Sequence, residues 1–281
     1  TFEDCEWGFI SIGLGSGDGQ AFDFEGNCDD MVMRNCLFHD TDGPGFLLCC
    51  YASDGHAHTG IVMENCVING KSKRPIGLPR CAIVNTTDWN ESTWTNCRFY
   101  LSPGEALMRV MDPEKEKRTK FVKCVVQDLS KAAASRNLAL EATASASSEV
   151  DGFESATVRD GKNHTAWKPS PEGDQWVQLV FPSERIINEV RLAEAPTSSV
   201  LRYEIQYADP TTRTWKSCFN GREIGPDFIA PIVARKTRGL RLRIFQTRSG
   251  TPVISEFAAY NSKGRPFSDP NGVLAGKTVG R

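Results

Sequence analysis

The residues best able to do chemistry in this 281-residue chain are carboxylates repeated in a fixed setting. The segment "DGQAFDF" (Asp18 to Phe24) returns as "DGPGFLL" (Asp42 to Leu48), with Asp18 aligned on Asp42 and Phe22 on Phe46. Alternate side chains of an extended segment take opposite faces, so Phe22 and Phe24 point inward and Asp23 outward. If the copies stack as adjacent strands, like positions lie about 4.8 Å apart. Asp18, Asp23 and Asp42 then share one face, with Asp40 close by. Glycoside hydrolysis needs two carboxyl groups, about 5–5.5 Å apart for retention or 6.5–9.5 Å for inversion. Close carboxylates push each other's proton affinities apart, which is what a paired acid and base require. Asp18 and Asp42 also precede glycine, where an aspartate serves a turn. Asp23 lies within a strand and has no turn to serve, so it is the better catalytic candidate.

Two other clusters invite chemistry. His39, Asp40, His56 and His58 could gather a transition metal, since "HAH" puts both imidazoles on one side of an extended segment; the alternative is a loop with solvated histidines. Lys71, Lys73 and Arg74 in "KSKRP" could neutralise a uronate for a lyase, or be a solvated loop. There is no phosphate-cradling glycine loop, no nucleophile elbow and no basic-aromatic nucleic-acid pattern. A net charge of −2, from 33 basic and 35 acidic side chains, provides no broad field for nucleic acid or anionic membrane. No run approaches the roughly 18 apolar residues that a membrane span requires. The start, "TFEDCEWGF", has neither an initiator Met nor a signal-peptide apolar stretch and is read as a mature, processed or cut end.

What must position these residues is a repeat. Cys5, Cys36, Cys66, Cys97 and Cys124 follow one another at steps of 31, 30, 31 and 27. Three residues before each stand Phe2, Met33, Met63, Trp94 and Phe121, and two after stand Trp7, Phe38, Ile68, Phe99 and Val126. A period of this size signals stacked units. The spacing of two after the Cys is a strand period, and the gap of three before it requires a corner. Asn35, Asn65 and Asn96 stand at that corner, replaced by Asp4 and Lys123 in the outer copies. Asn tolerates the left-handed backbone better than other non-glycine residues. Residues 1–132 are therefore predicted to be a right-handed parallel β-helix of about four or five coils, incomplete at its N-terminus, with like residues filed along one axis. Parallel stacking seldom offers disulfide geometry, so the filed cysteines are expected to be free buried thiols. Cys28, Cys49, Cys50, Cys81 and Cys218 are not assigned.

After Leu129 the period stops, and "SKAAASRNLAL" makes a small, polar join. Short alternating runs follow: "DQWVQLVF", "IINEVRL", "RYEIQYADPTTRTWKSC", "LRLRIF" and "ISEFAAY". Separated by turn residues and with no long helical stripe, they predict a β-sandwich over 136–261. Residues 262–281 are left as a C-terminal tail. The expected fold is all-β, a parallel β-helix followed by a jelly-roll sandwich.

With their Asn ladder and "DG" strand entries, the first 130 residues resemble the β-helix proteins that include polygalacturonase-type hydrolases and pectate-lyase-type enzymes. The paired "DD" and the "GHG" and "RIK" signatures of the polygalacturonases are not in register here. The second module, with "NLAL", "DG…T.W", "QWVQL", "Y.IQY…W", "LRLRI" and "SEF..Y", is similar to discoidin or coagulation-factor C-type domains, a galactose-binding-like jelly roll. Its ending most resembles the sandwich domains attached to α-L-fucosidases and other polysaccharide-degrading enzymes. The resemblance implies sugar binding and one structural Ca²⁺, falling by position on Asp160, Thr165 and Glu256 with backbone help near Val158 and Asn163; hard oxygen ligands suit that ion. It implies sugar contact from a loop holding Arg159 and His164, with Trp167 and Trp176 in the core and Trp215 in a hairpin. The expected protein is secreted, on the cell surface or periplasmic, and acts on a polysaccharide or glycan. A glycoside hydrolase with an appended binding sandwich, a non-catalytic binding or adhesive fragment, and a polysaccharide lyase all remain open. Acceptor-like sequons at Asn85, Asn90 and Asn163 accord with secretion.

Overall fold

The computed structural model describes residues 1–11, 19–25, 28–49, 59–69, 81–85, 91–101, 105–110, 118–128, 135–162, 164–196, 200–248 and 250–267. Asp18, Cys50, His56, His58, Lys71, Lys73, Arg74, Asn90 and Asn163 lie outside the described residues. The chain divides into two compact units: residues 1–132 with 263–281, and residues 133–262.

In the first unit the copies supply strands in threes. The first copy holds β1 (Phe2–Glu3), β2 (Glu6–Ile10) and β3 (Phe22–Glu25), and the second β4 (Val32–Arg34), β5 (Leu37–Thr41) and β6 (Phe46–Cys49). The third has β7 (Ile61–Glu64), β8 (Val67–Asn69) and β9 (Cys81–Asn85), and the fourth β10 (Ser92–Thr95), β11 (Arg98–Leu101) and β12 (Ala106–Val110). β13 (Thr119–Val122) and β14 (Cys124–Asp128) close the series. Each third strand returns to the same sheet, giving the orders β1-β4-β7-β10-β13, β2-β5-β8-β11-β14 and β3-β6-β9-β12, all parallel. The register puts Met33 on Met63, Trp94 and Phe121, and Trp7 on Phe38, Ile68, Phe99 and Val126. These files, with Cys36, Cys66, Cys97 and Cys124, form one buried cluster, against which the partly buried Trp7 packs. Burying like on like lets every copy use the same packing solution as its neighbours.

All five corner residues, Asp4, Asn35, Asn65, Asn96 and Lys123, have left-handed φ of 53–58°. Asn65 Nδ2 donates to Asn35 Oδ1 at 3.4 Å and Asn96 Nδ2 to Asn65 Oδ1 at 2.8 Å, so the corner amides bind one another along the stack. Lys123 adopts the same strained conformation without that side-chain bond. Because the left-handed region costs an ordinary residue about 1–2 kcal/mol, Lys123→Asn is expected to raise the urea midpoint of the first unit. An unchanged or lower midpoint would show that the corner is indifferent to residue type. The filed cysteines are free thiols, with Cys66, Cys97 and Cys124 donating to the carbonyls of Met33, Met63 and Trp94 at 3.5, 3.4 and 3.2 Å. The Cys66 contact together with burial raises the Cys36 thiol's pKa, and burial with the Cys124 contact raises that of Cys97.

The second unit begins with two short 3-10 turns, Leu138–Glu141 and Ser155–Arg159, around β15 (Thr143–Ala146). It continues through β16 (Gln175–Glu194), β17 (Val200–Ala208), β18 (Trp215–Gly221), β19 (Phe228–Thr247) and β20 (Ile254–Tyr260). "DQWVQLVF" and "IINEVRL", read above as separate runs, are the two halves of β16, whose pairing with β19 is interrupted between Val180 and Arg185. One half runs with β15, the other with β20, while β19 continues to β17 and β18. Val177, Leu179, Leu240, Leu242, Ile244, Ile205 and Phe219 are buried. Trp167 is buried as expected, but Trp176 is not a core residue. It alternates with buried Val177 on the opposite face and is half-buried. Residues 265–267, placed in the tail above, form β21 (Arg265–Phe267), antiparallel to β14. Phe267 packs on Phe99 and Phe121 at ring distances of 6.0 and 5.2 Å, covering the last copy's apolar face.

Candidate functional site

The repeated "DG" segments do lie one upon the other. Gly43 N donates to Gly19 O at 2.8 Å. A Cβ on Gly43 would come within 3.0 Å of the Gly19 backbone, which is why this position takes glycine. Asp42 is buried, its N–H donating to Ile10 O at 2.9 Å. Asp23 is half-buried and accepts from Gln20 Nε2 at 2.6 Å, with Leu47 as its register partner on β6. Asp18 lies outside the described residues.

Asp40 belongs to a different constellation. His39 is fully buried, with Nδ1 2.9 Å from Asp40 Oδ2 and Nε2 2.8 Å from Glu6 Oε1. Its ring lies over Gly8, where any Cβ would come within 2.5 Å. Phe9 and Asp40 beside it both have left-handed φ, 59° and 48°. Burial opposes the charged imidazole, but the bonds to Asp40 and Glu6 outweigh it and raise its pKa above the usual histidine value. Both ring nitrogens of His39 are engaged by carboxylates, while His56 and His58, its partners in the metal arrangement considered from the sequence, lie outside the described residues. Glu6 was missed in the sequence because it sits 33 residues away; Gly8, one copy below His39, was the available signal. Among the described residues no group of three His, Cys, Asp or Glu is arranged to hold a metal.

The second unit offers a cavity of about 600 Å³ lined by Asn137, Asp160, Arg191, Asp227, Glu256 and Tyr260, among others. Asn137, the first residue of "NLAL", ties its own segment to β20. Its Oδ1 accepts from Ala139 N at 3.0 Å and Ala259 N at 3.2 Å, and its Nδ2 donates to Glu256 Oε1 at 3.4 Å. Asp160 ends the second 3-10 turn before Gly161, whose φ of 75° favours glycine. Its carboxylate accepts from Lys162 N at 2.8 Å and from Thr165 Oγ1 at 2.9 Å. Burial, then the nearby charge of Asp160, push the Glu256 carboxyl up to about 7. The structure thus brings Asp160, Thr165 and Glu256 together. Arg159 and His164 are not among the lining residues. Arg159 donates to Leu140 O at 3.1 Å, and His164 is exposed.

Residues 141–257 match the F5/8 type C domain family, which identifies this segment, and not the whole chain, as a discoidin-like domain. No curated protein matches the sequence. Among solved structures, chitosan-binding module 1 from the chitosanase/glucanase of Paenibacillus sp. IK-5 is 26% identical, covering 45% of this chain and 99% of that one at a TM-score of 0.42. The family 32 carbohydrate-binding module of C. perfringens NanJ, solved with galactose, is 18% identical over 45% of this chain and 98% of that one, at a TM-score of 0.42. SpGH29 is 17% identical over 46% of this chain, at a TM-score of 0.43, and only 28% of its own length is covered. No helix among the described residues is long and apolar enough to cross a membrane.

Proposed function

We propose that this is a secreted carbohydrate-binding protein whose second unit contacts a glycan through the loop carrying Arg159 and His164. The observation that carries this reading is the discoidin-like segment 141–257, with its "DG" loop at Asp160. Asp160, Thr165 and Glu256 fit the implied Ca²⁺. They are hard oxygen donors, and a Glu256 carboxyl that burial, and then the charge of Asp160, raise to about 7 belongs to a donor set that a dication would relieve. When bound, the ion would supply a clamp between the Asp160 loop and β20, the strand to which Asn137 already ties its own segment. Saturating Ca²⁺ is expected to stabilise the second unit by about 3 kcal/mol at a hundredfold excess over its dissociation constant. Melting with Ca²⁺ and with chelator checks this. Glu256→Gln and Asp160→Asn should each abolish the difference, and the Ca²⁺ effect in the native chain should fade as pH drops below about 7 and Glu256 takes its proton. A melting temperature indifferent to Ca²⁺ would remove the ion from the reading. For glycan binding itself, an array probed with the full chain and with Arg159→Gln and His164→Ala decides the matter; equal binding by both variants would move the site elsewhere.

In the same reading the first unit is a right-handed parallel β-helix. The parallel three-sheet strand order and the in-register files support it. A second reading, a glycoside hydrolase, is favoured by Asp23, an outward strand carboxylate oriented by Gln20. Asp23→Asn should then abolish glycan cleavage while leaving the melting temperature nearly unchanged. If no glycan in a plant, algal and host panel is turned over, the binding reading stands alone.

A further inference from the structure

We infer that the outer face of the sandwich layer formed by β15, the first half of β16, the second half of β19, β17 and β18 is a second binding surface, for an acidic polysaccharide, centred on Arg241 between Trp176 and Trp215. This builds on the reading of the second unit as a glycan-binding module and adds a surface and a ligand class to it. Strand alternation produces the face. With Leu240, Leu242 and Ile244 turned inward, Arg241, Arg243 and Phe245 are turned outward. The register sets Gln178, Arg241 and Gln206 in one row and Trp176, Arg243 and Glu204 in the next.

The Arg241 guanidinium lies 4.6 Å from the Trp176 ring centre and 4.2 Å from that of Trp215. Its Nε and Nη2 donate to Gln178 Oε1 at 3.2 and 2.8 Å. Among the described residues no carboxylate pairs with it, so a rigidly held cation lacks a counter-anion. Among the described residues the carboxylates nearest Arg243 are at long range, 3.5 Å for Asp174 and 3.9 Å for Glu204. The Phe245 ring, 42% exposed, carries Arg202 at 5.0 Å and Arg243 at 5.2 Å. Gln206 Nε2 donates to Glu204 Oε1 at 2.7 Å, leaving Gln206 Oε1 buried with no partner. A stack that merely stiffens the sheet accounts for Arg241. It does not account for an exposed phenyl ring under two guanidiniums, or for the loose pairing of Arg243.

Three guanidiniums suit carboxylates, ring faces suit pyranose faces, and amide and carboxylate oxygens accept from hydroxyls. That combination fits a polyol chain bearing acid groups. A phosphodiester chain also uses arginines and aromatic rings, but it has few hydroxyls to donate to Glu204 and Asp174.

The test is affinity electrophoresis of the full chain in gels containing polygalacturonate, its fully methylated ester, or oligo-deoxythymidine. Polygalacturonate is expected to retard the chain and the ester to do so far less. Arg241→Gln and Arg243→Gln should each weaken retardation by about tenfold, the loss of one charge-assisted hydrogen bond. Arg243 has a side chain 37% exposed, so its replacement keeps the test decisive even where an Arg241 variant folds poorly. Equal retardation by the ester, an unaffected Arg243→Gln variant, or tighter binding of oligo-deoxythymidine would each overturn the inference. Neutral-glycan binding that depends on Arg159 or His164, without polygalacturonate binding, would sink this inference and leave the loop reading standing. Binding of no glycan at all would sink both.

Discussion

Replacing Trp94 by Ala is expected to destabilise the first unit by about 3–5 kcal/mol, the range for emptying a large aromatic site in a close-packed core. Trp94 is fully buried, between Met63 and Phe121 in its file. Its ring centre is 5.2 Å from that of Phe46, 5.6 Å from Phe99 and 6.2 Å from Phe121, so it joins residues of all three sheets. Its Nε1 donates to buried Ser92 Oγ at 3.0 Å, a bond that Trp94→Phe would also remove. Since stacked copies are stabilised chiefly by their immediate neighbours, loss at the fourth copy should uncouple the third from β13. Urea unfolding of the full chain, followed by backbone circular dichroism, measures the drop. A loss under about 1 kcal/mol would contradict the packing described.

The second large effect is at His39. Removing one member of a buried ion pair leaves an uncompensated charge, at a cost of about 3–5 kcal/mol. His39→Leu would leave Asp40 buried and Glu6 without its imidazole partner. The pH dependence has a definite sign. The folded-state pKa of His39 is raised, so the stabilisation it confers is complete below the unfolded value near 6.5 and is lost as pH rises through the folded value. Stability of the native chain should therefore fall between neutral and alkaline pH by an amount that His39→Leu abolishes. His39→Gln, which keeps hydrogen-bonding capacity without the charge, should recover part of the stability but none of the pH dependence. Parallel pH profiles for native chain and His39→Leu would show that the imidazole is neutral in the folded state. Gly8→Ala offers an independent check, because its Cβ would displace the ring from Glu6 and Asp40.

How much of this was legible varies by residue, for physical reasons. A period near thirty with apolar, Asn and Cys at fixed offsets is legible because stacked copies bury like on like, so the stacking itself imposes the repeat. The corner was read from Asn35, Asn65 and Asn96, yet Asp4 and Lys123 adopt the same left-handed backbone. There the stack dictates the conformation and the residue bears the strain. Trp176 was misplaced because an indole next to valine reads as core. The alternation Trp176, Val177, Gln178, Leu179 points it outward, and Arg241, 65 residues later, gives it a partner.

From sequence alone, then, came the all-β character, the files along the first unit, the free filed thiols, and a discoidin-like second module. Only the tertiary structure decided that Glu6 and Asp40 share His39, that β16 and β19 each run through both halves of the sandwich, that β21 covers the last copy, and that two indoles grip one guanidinium. The dividing line is range. Repeats and alternation are periodic along the chain and survive in one dimension, whereas a contact between residues 33 or 65 positions apart depends on which strand pairs with which and in what register.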